Sequence, residues 1–194
     1  MDMLLKLFTI LLFVGWRLYW IITEKKADRE KPKAQQTLSF FDKRKITKHG
    51  LLVVIILIVF QLLFGVSIFP MPNNFAVEVV GFLIVILGVG IAVTARTQLG
   101  TNWSNAWEYQ IKQKHELITT GIYGYIRHPI YTGVALEVIG AELVAQSYLF
   151  LIFFICFFVA YKQAKQEEVL LEQHFGKAYA NYKNKTKMLI PFLW

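Results

Sequence analysis

The feature that most constrains this chain is its alternation of long apolar runs with short basic segments. Residues 51–70 carry no charge, and only Gln61 and Ser67 are polar there. A hydrocarbon core of about 30 Å takes roughly 20 residues of helix, and residues 3–22 and 75–94 come close to the same length. Residues 132–147 and 148–161 are shorter. The fourteen residues of the last run would cover only about 21 Å as a helix. Its helical pattern continues, however, to about residue 182 through the stripe Glu168, Leu171, Phe175, Tyr179 and Tyr182. The expectation is an all-α integral membrane protein with five transmembrane helices. The fifth is read as one long helix whose C-terminal half leaves the membrane, after a tight turn near Gln146 and Ser147.

The cations orient this arrangement. Of 21 Lys and Arg, nine lie in residues 24–50, four in 94–129 and six after Tyr161. Their alternation with apolar runs is the positive-inside pattern, which puts the N-terminus outside and the C-terminus inside. The net charge of +8 thus points to membrane lipid, whose anionic head groups attract basic loops, and away from nucleic acid. Cys156 is the single cysteine, so no intramolecular disulfide forms.

Several intramembrane details follow. The run 3–22 is read as a retained helix, because no small-residue cleavage site follows it. Its Arg17 snorkels or faces the bundle interior. Residues 24–50 read as a solvated connector interrupted by Pro32. Pro70-Met71-Pro72-Asn73-Asn74 reads as a turn, making the second and third runs an antiparallel hairpin. Gly81 and Gly88, seven apart, share a helical face that suits close packing. Glu137 and Glu142 are expensive at membrane depth unless paired, protonated or facing a wet cavity, and five apart they do not share a face. The chain divides at residues 1–95, holding three helices, and 96–194, holding a helical hairpin and a polar site.

That site is expected around residues 121–133, where three tyrosines, an Arg-His pair, a proline and three glycines interrupt the apolar sequence. Glycine lets backbone approach a ligand, and Pro129 pushes His128 toward an extended conformation. Three segments should converge on the cytoplasmic face: the turn at His115, the Arg127-His128 stretch, and Glu167-Glu168 on the last helix. Tyrosine faces attract cations, and a carboxylate accepts ribose or ammonium hydrogen bonds. A sulfonium cofactor with an amino-acid tail and an adenosyl group would use all of these, with Arg127 and His128 holding an anionic group of the partner substrate. Four scattered histidines and one cysteine make no structural zinc set. No serine elbow, Walker loop or dinucleotide fingerprint is present.

The ordered residues Leu99-Gly100, Asn102-Trp103-Ser104, His115-Glu116-Leu117, Gly121-Ile122-Tyr123, Arg127-His128-Pro129-Ile130-Tyr131, Gly133, Glu167-Glu168, His174-Phe175-Gly176, Tyr179, Tyr182 and Pro191-Phe192 resemble the isoprenylcysteine carboxyl methyltransferase family. That family sits in a wider group with the phospholipid N-methyltransferases, and the small size here resembles prokaryotic members. The resemblance covers residues 99–192. It implies an enzyme binding S-adenosylmethionine, which leaves as S-adenosylhomocysteine, in a cytoplasmic pocket. It implies that His115, Leu117, Ile118, Tyr123, His128 and Tyr131 line the pocket, that Glu167 contacts the cofactor, and that Arg127, Glu167 and Glu168 serve catalysis without a metal. Eukaryotic members carry an arginine one turn before the first glutamate, whereas this chain has Gln163, a departure that bears on the acceptor. The expected acceptor is a lipophilic or prenylated substrate ending in a carboxylate. N-methylation of a phospholipid amine, an NADPH-dependent membrane reductase and a non-catalytic scaffold stand as alternatives.

Overall fold

A computed structural model describes residues 2–29, 43–102 and 116–190. Its frame is an antiparallel pair of helices, α3 (Phe75–Leu99) and α4 (Pro129–Val144), which make the most extensive helix contact among the described residues. Asn74 caps α3, its side chain accepting from the Ala76 amide at 3.0 Å, and Pro129 opens α4 at a position that needs no amide donor. The two helices meet glycine on glycine. A Cβ at Gly81 would lie 2.7 Å from the Gly140 carbonyl, and one at Gly88 would lie 2.7 Å from that of Gly133. Only residues without a side chain allow backbones this close, and in lipid such packing replaces the hydrophobic drive of water.

Around this pair stand α1 (Asp2–Arg29), which packs on α2, α3 and α4, and α2 (Lys43–Phe64), which packs on α1 and α4. Phe13, Ile58, Leu62, Val85, Ala141 and Val144 form their shared core. The outward faces expose leucines such as Leu11, Leu57 and Leu87. Among the described residues, two helices, Met3–Thr23 and Phe75–Leu99, are long and apolar enough to cross a membrane, and Leu52–Phe64 is a shorter apolar helix. The second and third runs join through the expected short loop, but α2 lies against α1 and α4 more than along α3. Consecutive helices need not be the best-matched surfaces, and the glycine faces of α3 and α4 fit each other better.

At the end of the bundle remote from residues 121–133, the loop before α3 is sewn to the turn after α4. The Met71 amide donates to Gln146 O at 2.7 Å and the Tyr148 amide to Phe69 O at 2.8 Å. Gln146 makes the expected turn by adopting a left-handed conformation, φ 54°. Its side-chain amide donates to Glu78 Oε1 at 2.9 Å and to Asn74 O at 3.2 Å. Gln61 donates to both oxygens of Glu142, at 3.1 and 3.2 Å. Glu142 and Glu137 do face different ways, since Glu137 meets Arg17 of α1 at 3.9 Å.

Beyond a 3-10 turn at Tyr148–Ile152 come α5 (Phe153–Phe175) and α6 (Lys177–Lys185). The single long helix expected here is two helices. Gly176 takes φ 53°, a left-handed conformation that ends α5 and suits glycine, so Tyr179 and Tyr182 fold back on a separate element. Pro32 of the connector, Trp103-Ser104, His115 and Pro191-Phe192 lie outside the described residues.

Candidate functional site

The site is assembled at the end of α3. Gly121, at φ 61°, opens a 3-10 turn (Gly121–Gly124) where a Cβ would collide with the Gln98 side chain. Gln98 Oε1 instead accepts from the Ile122 amide at 3.0 Å. The chain then runs extended beside the segment that follows α6. Lys187 N donates to Tyr125 O at 3.1 Å, Arg127 N to Lys187 O at 2.8 Å, and His128 N to Met188 O at 3.0 Å. Pro129 was expected to push His128 into an extended conformation, but His128 takes φ −124° and ψ 57°, outside that range, as it joins the paired run to the first turn of α4. Its imidazole is thereby aimed at α5.

Two carboxylates of α5 receive it. His128 Nε2 lies 3.4 Å from Glu168 Oε1, and Nδ1 lies 3.6 Å from Glu167 Oε2. Tyr131, one turn into α4, stacks on the His128 ring at 5.6 Å and donates its hydroxyl to Glu167 Oε2 at 3.2 Å. The two glutamates then differ sharply. Glu168 is buried, takes the Arg127 Nε donor at 2.5 Å, and has Lys183 Nζ at 3.5 Å. Burial pushes its pKa up, but hydrogen bonds and charge from His128 and Arg127 more than reverse this and hold it at about 2. Glu167 keeps 36% of its side chain exposed. A half-exposed carboxylate beside a tyrosine and an imidazole is placed to meet a ligand.

Arg127 points into the protein. Besides Glu168, its Nη1 donates to the carbonyls of Lys183 at 3.2 Å and Thr186 at 2.5 Å. These tie the segment before α4 to α5, to the last turn of α6 and to the residue after it, so the anion facing Arg127 is Glu168. Lys183, held protonated above its ordinary range chiefly by its 2.8 Å bond to Glu172, completes the network. Tyr123 is buried, donates to Ala95 O at 3.4 Å, and accepts at its carbonyl from Tyr182 Oη at 2.7 Å. Burial pushes the Tyr123, Tyr179 and Tyr182 phenols up, so they stay neutral. Leu117 and Ile118 are half-buried in the irregular segment before Gly121, which begins where Glu116 N donates to Asn102 Oδ1 at 2.9 Å.

The structure therefore brings His128, Tyr131, Glu167, Glu168 and Arg127 together, with Tyr123 behind them. Lys183 was not anticipated from the sequence, where it is one of many lysines, nor was the Thr132 hydroxyl, which donates to Leu189 O at 2.6 Å. Neither carries a signal, because the partner in one case lies eleven residues away across a helix break and in the other is a backbone carbonyl. A cationic ligand bearing hydroxyl groups suits this donor and acceptor set. Among the described residues, Tyr179 Oη is buried without a hydrogen-bond partner, and Glu167 offers a carboxylate to a cation or a hydroxyl pair.

Comparison with known proteins gives the chain a family and a fold. Residues 76–178 match the phospholipid methyltransferase family. The protein-S-isoprenylcysteine O-methyltransferase of Saccharomyces cerevisiae is 35% identical over 119 residues, which is 59% of this chain and 49% of that protein. A probable protein-S-isoprenylcysteine O-methyltransferase of Oryza sativa subsp. indica is 27% identical over 164 residues, covering 80% of this chain and 86% of its own. The human protein-S-isoprenylcysteine O-methyltransferase is 28% identical over 122 residues, 60% of this chain and 42% of that one. This chain thus spans about half the length of the yeast and human relatives and most of the rice one. The fold resembles the solved structure of the eukaryotic intramembrane Ras methyltransferase ICMT (isoprenylcysteine carboxyl methyltransferase), with a TM-score of 0.59 at 18% identity over 95% of this chain and 68% of that one.

Proposed function

Since the chain belongs to the phospholipid methyltransferase family, we propose that it transfers a methyl group from S-adenosylmethionine to a lipophilic acceptor carrying a carboxylate, of the prenylcysteine kind named in its relatives. The observation that carries this reading is the half-exposed Glu167 set between Tyr131 and His128. The cofactor would supply an electrophilic methyl on a sulfonium. Glu167 would hold it, His128 and Tyr131 would wall it, and Tyr123, Leu117, Ile118 and His115 would complete the pocket. Arg127 and Glu168 act behind that wall and keep it in place. Catalysis is then largely positional, with the two reacting groups brought to near-attack distance while water is kept out.

The acceptor follows from what the cluster lacks. A carboxylate, with a pKa near about 4, is an ionised nucleophile at neutral pH and needs no general base. An amine, near about 10, must first lose a proton. Here the phenols are pushed up, Glu168 is committed to Arg127 and a guanidinium stays protonated, which leaves His128 as the one group that could serve an amine acceptor as base. A phospholipid amine is the second reading, favoured by the family that residues 76–178 match. The proposed topology is five spans with residues 24–50, 95–129 and the C-terminal segment on the cytoplasmic side.

Two measurements test the reading. S-adenosylhomocysteine, and not NADPH, should protect the purified protein from thermal unfolding. Methyl label transferred to lipid should be released as methanol by mild base, as an ester is. Label that stays in the lipid after alkaline treatment would overturn the carboxylate reading.

A further inference from the structure

Two cations of α1, Lys6 and Arg17, are absent from the site and have no part in the proposed chemistry. They lie eleven residues apart, which is three turns to within about 20° of rotation, so they share one face of α1 about 16 Å apart. Each meets a buried carboxylate on a different helix of the central pair. Lys6 Nζ lies 3.9 Å from Glu78 Oε1 at the start of α3, and Arg17 Nη2 lies 3.9 Å from Glu137 Oε2 within α4. The inner pair is not hydrogen-bonded. Among the described residues, Arg17 Nε and Nη2 and both Glu137 oxygens are buried without a hydrogen-bond partner, and the guanidinium rests on the Phe13 ring at 5.4 Å. A buried pair without satisfying hydrogen bonds adds little stability, and the best-attested use of such a pair is to fix register.

What the register controls is visible at the other end of α1. Its last turns brace the end of α3. Tyr19 Oη lies 3.3 Å from Thr97 Oγ1, Arg96 Nη2 donates to Thr23 O at 3.3 Å, and the Arg96 guanidinium sits over Trp20 at 6.0 Å. The same turn of α3 carries the site, through Gln98 on Ile122 and Ala95 O on Tyr123. We propose that Lys6 and Arg17 form a two-point charge key that sets the depth and rotation of α1, so that α1 holds the end of α3 in place beneath the Tyr123 wall. Arg17 is then a positioning residue for the proposed methyl transfer, and that last step rests on the reading given above.

The test separates the two parts. Spin labels at the exposed positions Leu18 of α1 and Leu87 of α3, in a Cys156→Ala background, report the α1–α3 distance, and calorimetry reports S-adenosylhomocysteine affinity in the unlabelled protein. Arg17→Gln and Glu137→Gln should broaden or shift the single wild-type distance. Arg17→Lys and the charge-swapped pair Arg17→Glu with Glu137→Arg should restore it, and cofactor-product affinity should fall and recover in parallel. An unchanged distance in Arg17→Gln, or a swapped pair no better than the worse single variant, overturns the key. A shifted distance with unchanged affinity overturns the positioning role. Wild-type protein that binds no S-adenosylhomocysteine defeats the cofactor reading instead, and the distances still decide the key.

Discussion

Glu168 takes a 2.5 Å hydrogen bond from Arg127 and has Lys183 and His128 at 3.5 and 3.4 Å. Glu137, no less buried, meets Arg17 only at 3.9 Å and has no hydrogen bond on either oxygen. The two carboxylates are handled in opposite ways within one molecule. At the site, backbone carbonyls and side chains from three elements converge until the charge is fully networked. Within the bundle, regular helices offer no spare backbone donors, because these already bond within each helix, so a charge there meets only other side chains. Networked charge fixes a local shape, whereas sparse charge fixes how helices sit relative to one another.

The largest test of this contrast is removal of the cation at each place. Arg127→Met strips three hydrogen bonds and leaves Glu168 buried, and should cost about 3–5 kcal/mol of unfolding free energy in detergent. Arg17→Met strips no hydrogen bond, and a Glu137 left without its cation is relieved by taking up a proton, so it should cost clearly less. Equal losses would erase the distinction. The pH dependence carries the same signature. Glu168 is held at about 2, from an ordinary 4.5, so its stabilisation is complete above 4.5 and lost as pH falls toward 2. Glu168→Gln should flatten that acid limb in pH-dependent unfolding.

Glu167→Gln should behave differently from either. It removes a half-exposed carboxylate that holds little of the fold, so melting should be near wild type. Affinity for S-adenosylhomocysteine should fall by about 1.5–3 kcal/mol, roughly ten- to hundredfold, in a calorimetric titration. An unchanged affinity would remove Glu167 from the site.

On the bundle side, Gly88→Ala places a methyl 2.7 Å from the Gly133 carbonyl and 3.1 Å from Glu137 Cγ. Forcing α3 and α4 apart should cost about 1–3 kcal/mol by thermal denaturation. Gly90→Ala, two residues on and with nothing within 4 Å of the added atom, is the matched control and should be near neutral. The smallest effect expected is Tyr182→Phe, which deletes one bond to Tyr123 O and should cost about 0.5–1.5 kcal/mol in chemical unfolding.

Apolar run length and cation placement made the helices legible, and the seven-residue spacing of Gly81 and Gly88 correctly flagged a packing face. The partner face carried the same signal, Gly133 and Gly140, but it lay inside a run dominated by its two glutamates. The break at Gly176 was hidden for a related reason: Leu171, Phe175, Tyr179 and Tyr182 keep helical spacing on both sides of it, so periodicity alone runs straight through. That His128, Tyr131 and the two adjacent glutamates come together was readable from residue type. Their division of labour was not, because the ties from Arg127 end on backbone carbonyls, which every residue has and no sequence pattern reveals.

The extended pairing of residues 125–128 with 187–188 has a consequence in time as well as space. A chain is made from its N-terminus, and domains fold in that order as they emerge. The helices α1 to α4 can therefore pack while the carbonyls of Lys183 and Thr186, which hold Arg127, have yet to be synthesised. Until the segment after α6 leaves the ribosome, Arg127 and His128 have a membrane bundle beneath them and no wall beside them. The scaffold is laid down first, and the cluster around Arg127 closes only once residues 183–188 have been made.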